Sequence, residues 1–141
     1  MSLVRFGVAA ESWPEAISVA GQLLVDAGHV SVEYVSSMIR VVEELGPYIV
    51  LVDGVALAHA APGDQVYNNA ISLAVLNDRV DFGSGKLVKV VFAMAAKDHE
   101  SHIEALGSLA ELLSDEQSRN SLLNAVDSDQ IEQLLSGVLG E

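Results

Sequence analysis

Gly54-Val55-Ala56-Leu57-Ala58-His59-Ala60 opens on a glycine suited to a sharp turn and then sets one histidine into an apolar, strand-like segment. Short apolar runs of this kind, bounded by Gly, Pro, Asn or Asp and often β-branched, read as strands buried on both faces. Residues 48–52, 70–76 and 87–95 repeat the pattern, so residues 55–60 are expected to be one of four strands. Upstream the period is helical. Ser12-Trp13-Pro14-Glu15 has the form of a capping box with Pro in the first turn, and Ala16, Ile17, Ala20, Leu23 and Leu24 follow at helical spacing as far as Gly28. Ser31 can cap a second helix with the stripe Val35, Met38, Ile39, Val42 and Leu45, closed by Gly46 and stopped by Pro47. Downstream, Asp98 caps a third helix to about Leu113, Ser114 with Gln117 opens a fourth, and Ser128 opens a fifth carrying Ile131, Leu134, Leu135 and Val138. Strands buried on both faces need helices on both sides. Two helices, four strands and three helices predict a single-domain α/β sandwich with a mixed β-sheet flanked by helices on both faces.

Composition limits what such a domain can do. A chain of 141 residues suffices for one domain that buries roughly two-thirds of its unfolded surface. No window approaches the ~20 continuous apolar residues of a membrane span, and the first residues lack the charged start and long apolar core of a secretion signal. Insertion into a membrane is not expected, and the chain is placed in the cytoplasm. It has no cysteine, which excludes disulfides, thiolate metal sites and thiol nucleophiles. Twenty acidic residues against seven basic ones leave a net charge of −13, which disfavours nucleic acid and anionic lipid and favours a partner with a basic surface. Nine of those acids lie in residues 100–141 with only Arg119 against them, as on a solvated helical face. No repeat, low-complexity tract or Gly/Ser-rich linker interrupts the chain.

Two histidines carry the chemistry. His59 at a strand end is rigidly held, and one ring nitrogen can donate to a backbone carbonyl while the other stays nucleophilic. Ala95-Ala96-Lys97-Asp98-His99-Glu100-Ser101-His102 supplies a strand end, a helix start and the second ring. His102 falls one turn into that helix and aligns with Leu106, Leu109 and Leu113, which turns it inward, where His59 is expected. First-turn amides and the positive end of the helix dipole favour an anion nearby. Two imidazoles on one site point to phosphoryl or metal chemistry. Each feature also has a plainer reading. A strand histidine or an inward histidine at a helix start can be a satisfied core residue. His99 reads as a solvated surface residue, His29 as a turn residue with no role, Asp98 as a helix cap, and Met38, Met94 and Trp13 as core.

The Gly54–Ala60 run, preceded by Glu43-Glu44-Leu45-Gly46-Pro47-Tyr48-Ile49-Val50 and followed by Val80-Asp81-Phe82-Gly83, resembles the IIA component of the phosphoenolpyruvate-dependent sugar phosphotransferase system, mannitol/fructose type. Ala95–Asp98, Ser101–Leu106 and Leu109–Leu113 extend the likeness, and the Leu45–Val50 and Ala95–Asp98 stretches are most similar to the branch serving ascorbate- and galactitol-like substrates. The resemblance runs from about Trp13 to Leu135 and makes residues 1–141 one IIA domain. It implies a phosphotransferase in which Nε2 of His59 takes a phosphoryl group from the histidine phosphocarrier protein and passes it to a cysteine of a separate IIB component. A membrane IIC component is then an indirect partner, His102 stabilises the phosphoryl group, and no metal, nucleotide or other cofactor is required. Homo-oligomerisation is left open. The chain departs from the family pattern at Ala58, where Pro is common, and at Ala61, where many relatives carry Arg. Lys97 is the candidate replacement cation, whereas Arg40 sits one position out of register with a phosphate-binding Arg of mannitol-like relatives. Two other readings use the same residues: a regulatory module whose phosphorylation state controls a partner, and a metal site built from His59, His99 and His102 with Asp98.

Overall fold

The computed structural model describes residues 3–46 and 49–139, with side chains described as far as residue 134. In chain order the elements are β1 (Val4–Val8), α1 (Trp13–Asp26), α2 (Val32–Leu45), β2 (Val50–Val52), β3 (Gly54–His59), β4 (Ala70–Asp81), β5 (Leu87–Ala95), α3 (His99–Ser114), α4 (Glu116–Leu123) and α5 (Ser128–Leu139). The strands form one mixed sheet in the order β1-β4-β5-β3-β2. β3 runs parallel to β5 and β1 parallel to β4, while β4 pairs antiparallel with β5 and β2 with β3.

Alternation along the central strands sorts their side chains into two cores. Ala56, Ala58, Ala74, Val91 and Ala93 face α1 and α2, in a cluster with Ile17, Leu24, Tyr34 and Met38. Val55, Leu57, Leu73, Val75, Phe92 and Met94 face the other way, against Leu109, Leu112 and Leu113 of α3, Leu122 of α4 and Ile131 of α5. Helices cover both faces, as the doubly apolar strands require. His59 is two residues beyond Leu57 and therefore belongs to the α3 face of the sheet.

Several boundaries differ from the sequence expectation. The sheet has a fifth strand, β1, which pairs Val4 with Leu73 and Val8 with Leu76. It is an edge strand made by backbone ladder bonds, and among its residues only Val8 is buried, so periodicity carried no signal. β4 runs on to Asp81, past the expected end at Leu76, with an irregularity between Val75 and Val80 that lets exposed Asn77, Asp78 and Arg79 stay in the strand. Asp115, not Ser114, caps α4, its carboxylate accepting the Ser118 amide at 3.1 Å. Ser31 makes no side-chain cap on α2; its amide instead donates to the Gln65 carbonyl at 2.8 Å. On α2 the buried stripe is Tyr34, Met38 and Val42, while Leu45 is 65% exposed. Pro47 as a helix stop, Tyr48 as the first residue of a strand, and the packing of Leu135 and Val138 lie outside the described residues.

The turn that launches β3 depends on Gly54, whose φ of +87° lies in the left-handed region. A Cβ there would also stand 2.9 Å from Cδ2 of Leu123 and 3.1 Å from a guanidinium nitrogen of Arg79. Gly54→Ala is expected to destabilise the protein by about 1–3 kcal/mol, from backbone strain and displacement of Leu123. Urea unfolding checks this, and a midpoint equal to that of the wild type would contradict it.

Candidate functional site

His59 is the last residue of β3 and is registered with Met94 on β5, so its position is set by the final rung of a parallel ladder. Its Nδ1 lies 3.0 Å from the Leu57 carbonyl oxygen. A carbonyl oxygen can only accept, so this contact places the proton on Nδ1 and leaves the lone pair of the neutral ring on Nε2. β3 and β5 are parallel, so their carboxyl ends share one edge of the sheet, the edge at which ligands of open α/β sheets commonly sit.

The second ring arrives from α3. Asp98 is its N-cap, accepting the Ser101 amide at 2.8 Å, and this amide, followed by the Ser101 hydroxyl, holds the Asp98 carboxyl below its ordinary range. Asn69, just ahead of β4, braces the same turn. Its Oδ1 accepts the Lys97 amide at 2.7 Å and its Nδ2 donates to the Ser101 hydroxyl at 3.1 Å. The amide of His102 then closes onto the Asp98 carbonyl at 3.1 Å as helical bonding begins. The His59 and His102 rings meet edge to face, with centroids 5.4 Å apart and planes at 61°.

Burial holds His102 below its ordinary value, and the neighbouring His59 and then His99 add to the effect. Nδ1 of His102 is enclosed and has no hydrogen-bond partner among the described residues, so a second N–H on that ring would gain nothing to offset its desolvation. The neutral form is therefore favoured. The folded protein takes up this proton at lower pH than the unfolded chain does. The stability associated with the neutral ring is thus complete above an unfolded-state value near 6.5 and is lost as pH falls through the lower native value. Thermal melts at about pH 7.5 and about pH 5.5 are expected to fall further for the wild type than for His102→Gln, which lacks the titrating group. Equal falls would remove His102 as the source.

A cavity of about 270 Å³ lies between these elements, lined among others by Val41, Leu45, His59, Pro62, His99 and His102. The two histidines singled out in the sequence are thus brought together. His99 is exposed as expected, yet it also lines this cavity, because residues three apart share one helix face. Lys97 is exposed and does not line it. Arg40 lines an adjoining hollow that shares Val41, Ala60 and Ala61 with the histidine cavity. The cavity lining therefore presents imidazoles, with no Arg or Lys among the described lining residues. His29 lies apart, in the turn after α1, where its carbonyl accepts the amides of Tyr67 and Asn68. Among the described residues no group of three or more His, Cys, Asp or Glu side chains is arranged to hold a metal ion, so His59, His99, His102 and Asp98 do not form the metal cluster weighed from their spacing. Sequence reading missed Asn69, whose only signal is its place before a strand, and Tyr34, which completes the 34, 38, 42 spacing of the buried face of α2.

Fold and site together define an α/β protein that presents a pair of imidazoles at the carboxyl edge of a mixed sheet. The chain belongs to the family described as "Phosphoenolpyruvate-dependent sugar phosphotransferase system, EIIA 2", whose profile matches residues 1–138. It is 33% identical over 128 residues to the mannitol-specific cryptic phosphotransferase enzyme IIA component of Escherichia coli (strain K12), covering 90% of this chain and 87% of that protein. It is 31% identical to the ascorbate-specific EIIA component of the same strain, over 84% of this chain and 79% of that protein. Among solved structures, the complex of enzyme IIA and phosphorylated enzyme IIB of the Escherichia coli mannitol system superposes with a TM-score of 0.83 at 30% identity, covering 95% of this chain and 94% of that one. No helix among the described residues is long and apolar enough to cross a membrane.

Proposed function

We propose that residues 1–141 act as one cytoplasmic IIA domain that carries a phosphoryl group on Nε2 of His59 between two partner proteins. The observation that carries this reading is the geometry of His59. Its Nδ1 is committed to the Leu57 carbonyl and its ring stands against His102 at the mouth of one cavity. In the first step the Nε2 lone pair attacks the phosphorus of a phosphohistidine on the histidine phosphocarrier protein. A new N–P bond forms as the donor's N–P bond breaks, and the donor imidazole leaves with the electron pair. In the second step a cysteine thiolate of a separate IIB component attacks the same phosphorus, an S–P bond forms, and His59 leaves as the neutral imidazole it was. Neither step needs a metal or a nucleotide.

Positioning and charge stabilisation supply most of the catalysis of such a transfer. The Nε2–H of His102 donates to a phosphoryl oxygen, and the dianionic group in turn raises the affinity of that ring for a second proton. The N-terminal end of the α3 dipole adds fixed partial positive charge. The phosphorylated IIB complex among the structural relatives supports the choice of acceptor, and the absence of cysteine from residues 1–141 leaves the thiolate to the IIB component. The net charge of −13 suits a donor with a basic docking face and sets encounter rate more than affinity. Coupling to a membrane IIC component is indirect, through IIB.

Intact-mass measurement after incubation with phosphoenolpyruvate, the general phosphotransferase enzyme and the histidine phosphocarrier protein tests the proposal. One added phosphoryl group, lost again on addition of a cognate IIB, is the expected result. An unchanged mass with an active donor would overturn it.

A further inference from the structure

Tyr34 is 1% exposed, and its hydroxyl reaches the place where the β3–β5 ladder stops. It lies 2.7 Å from the Met94 carbonyl oxygen, 3.1 Å from the Ala60 amide nitrogen and 3.4 Å from the Ala60 carbonyl oxygen. A phenol has one proton to give and two lone pairs to receive with. The short contact takes the proton, so the hydroxyl donates to Met94 and accepts from Ala60, and the longer approach to the Ala60 carbonyl is left without a proton. Burial raises the pKa of the phenol despite the Ala60 amide, which keeps the donor protonated at working pH.

We propose that Tyr34 is the positioning residue of the His59 site. It replaces the rung that β3 and β5 would form next, and so sets the direction in which the active ring leaves the sheet. The Ala60 N–H belongs to the peptide unit whose carbonyl is that of His59, so pinning that N–H fixes ψ of His59. The Leu57 carbonyl fixes the ring from the other end. Met94, the residue paired with His59, is held by the same hydroxyl. Tyr34 approaches from the α1/α2 face of the sheet and His102 from the α3 face, and Tyr34 is not among the residues lining the histidine cavity. The hydroxyl therefore touches no phosphoryl group and acts only through the backbone of residues 59 and 60. Without it, the Ala60 amide, on a residue 7% exposed, loses its acceptor at the point where His59 needs a single orientation.

This inference rests on the reading of His59 as acceptor, and its test separates the two. Tyr34→Phe keeps the ring in the core and removes only the oxygen. The expected result is a phosphoryl-transfer rate lowered about 10- to 100-fold with the saturating concentration of phosphocarrier protein unchanged, as for a displaced reacting group. Nitrogen-15 spectra of the unphosphorylated protein are expected to show one His59 tautomer, with the proton on Nδ1, in the wild type and a mixture in the variant. A variant that melts earlier but keeps both the tautomer and the rate would make Tyr34 a core residue and nothing more. Should the variant not fold, hydrogen exchange on the wild type decides. An Ala60 amide protected like the interior of β3 supports the role, and one exchanging as fast as the exposed amides of Gly63 and Asp64 overturns it. If the wild type accepts no phosphoryl group, the carrier function falls, while the tautomer and exchange measurements still judge Tyr34.

Discussion

His59→Ala is expected to abolish uptake of the phosphoryl group, with the intact mass unchanged after incubation with the phosphorylated donor. The expectation is absolute because the proposed reaction is covalent and needs the Nε2 lone pair of that ring, not merely charge in the cavity. Of the four histidines, His29 lies in the turn after α1 and is not among the cavity-lining residues, and His99 is exposed at the start of α3. His102 has its Nδ1 enclosed and its ring edge to face with that of His59, and the proposed reaction gives it the donor's part. The variant is expected to fold. His59 is only half-buried, its backbone stays in the ladder with Met94, and the side-chain bond lost, to Leu57, is worth about 1 kcal/mol. Circular dichroism and a melting curve on the same sample separate a silent site from an unfolded chain. Phosphorylation that persists in His59→Ala, or a label mapped to another histidine in the wild type, rejects the assignment.

His102→Ala is expected to remain phosphorylatable but to transfer about a hundredfold more slowly, in the range found when one preorganised hydrogen-bond donor to a developing anion is removed. The size of the effect follows from what the cavity lacks. With no Arg or Lys among the described lining residues, the proposed reaction leaves to the His102 imidazole the stabilisation that a guanidinium would otherwise share. His102→Gln keeps an N–H near the same place and is expected to recover part of the rate, which an electrostatic role shared by both rings would not predict. Rapid-quench measurement of a single turnover from the phosphorylated donor reads the step directly. A rate within twofold of the wild type in His102→Ala would remove that side chain from the transfer.

Much of the site was legible in the sequence because its two halves obey simple periods. Alternation from Val55 through Leu57 puts His59 on one face of the sheet, and the spacing of His102, Leu106, Leu109 and Leu113 turns the second ring toward it. The cap at Asp98 was equally local, since a carboxylate three residues ahead of an amide is written into consecutive residues. The features that escaped are those in which distant residues meet. Tyr34 and Ala60 are 26 positions apart, and Asn69 and Lys97 are 28 apart. No period in the chain links them. β1 escaped for another reason, because an edge strand is held by backbone pairing and its mostly exposed side chains carry no alternation. The boundary at Asp115 turned on which of two adjacent capping residues, Ser114 or Asp115, reaches Ser118, and the carboxylate made that bond.

The hollow of about 270 Å³ beside His59 has room for a phosphoryl group. Under the proposed reaction a single acceptor nitrogen must part from one partner before it meets the next, so giver and receiver take turns at the same doorway. In that proposed relay the covalent mark left on one nitrogen is the whole of the message passed from the first visitor to the second, and the lifetime of that bond sets how far apart in time the two visits can fall.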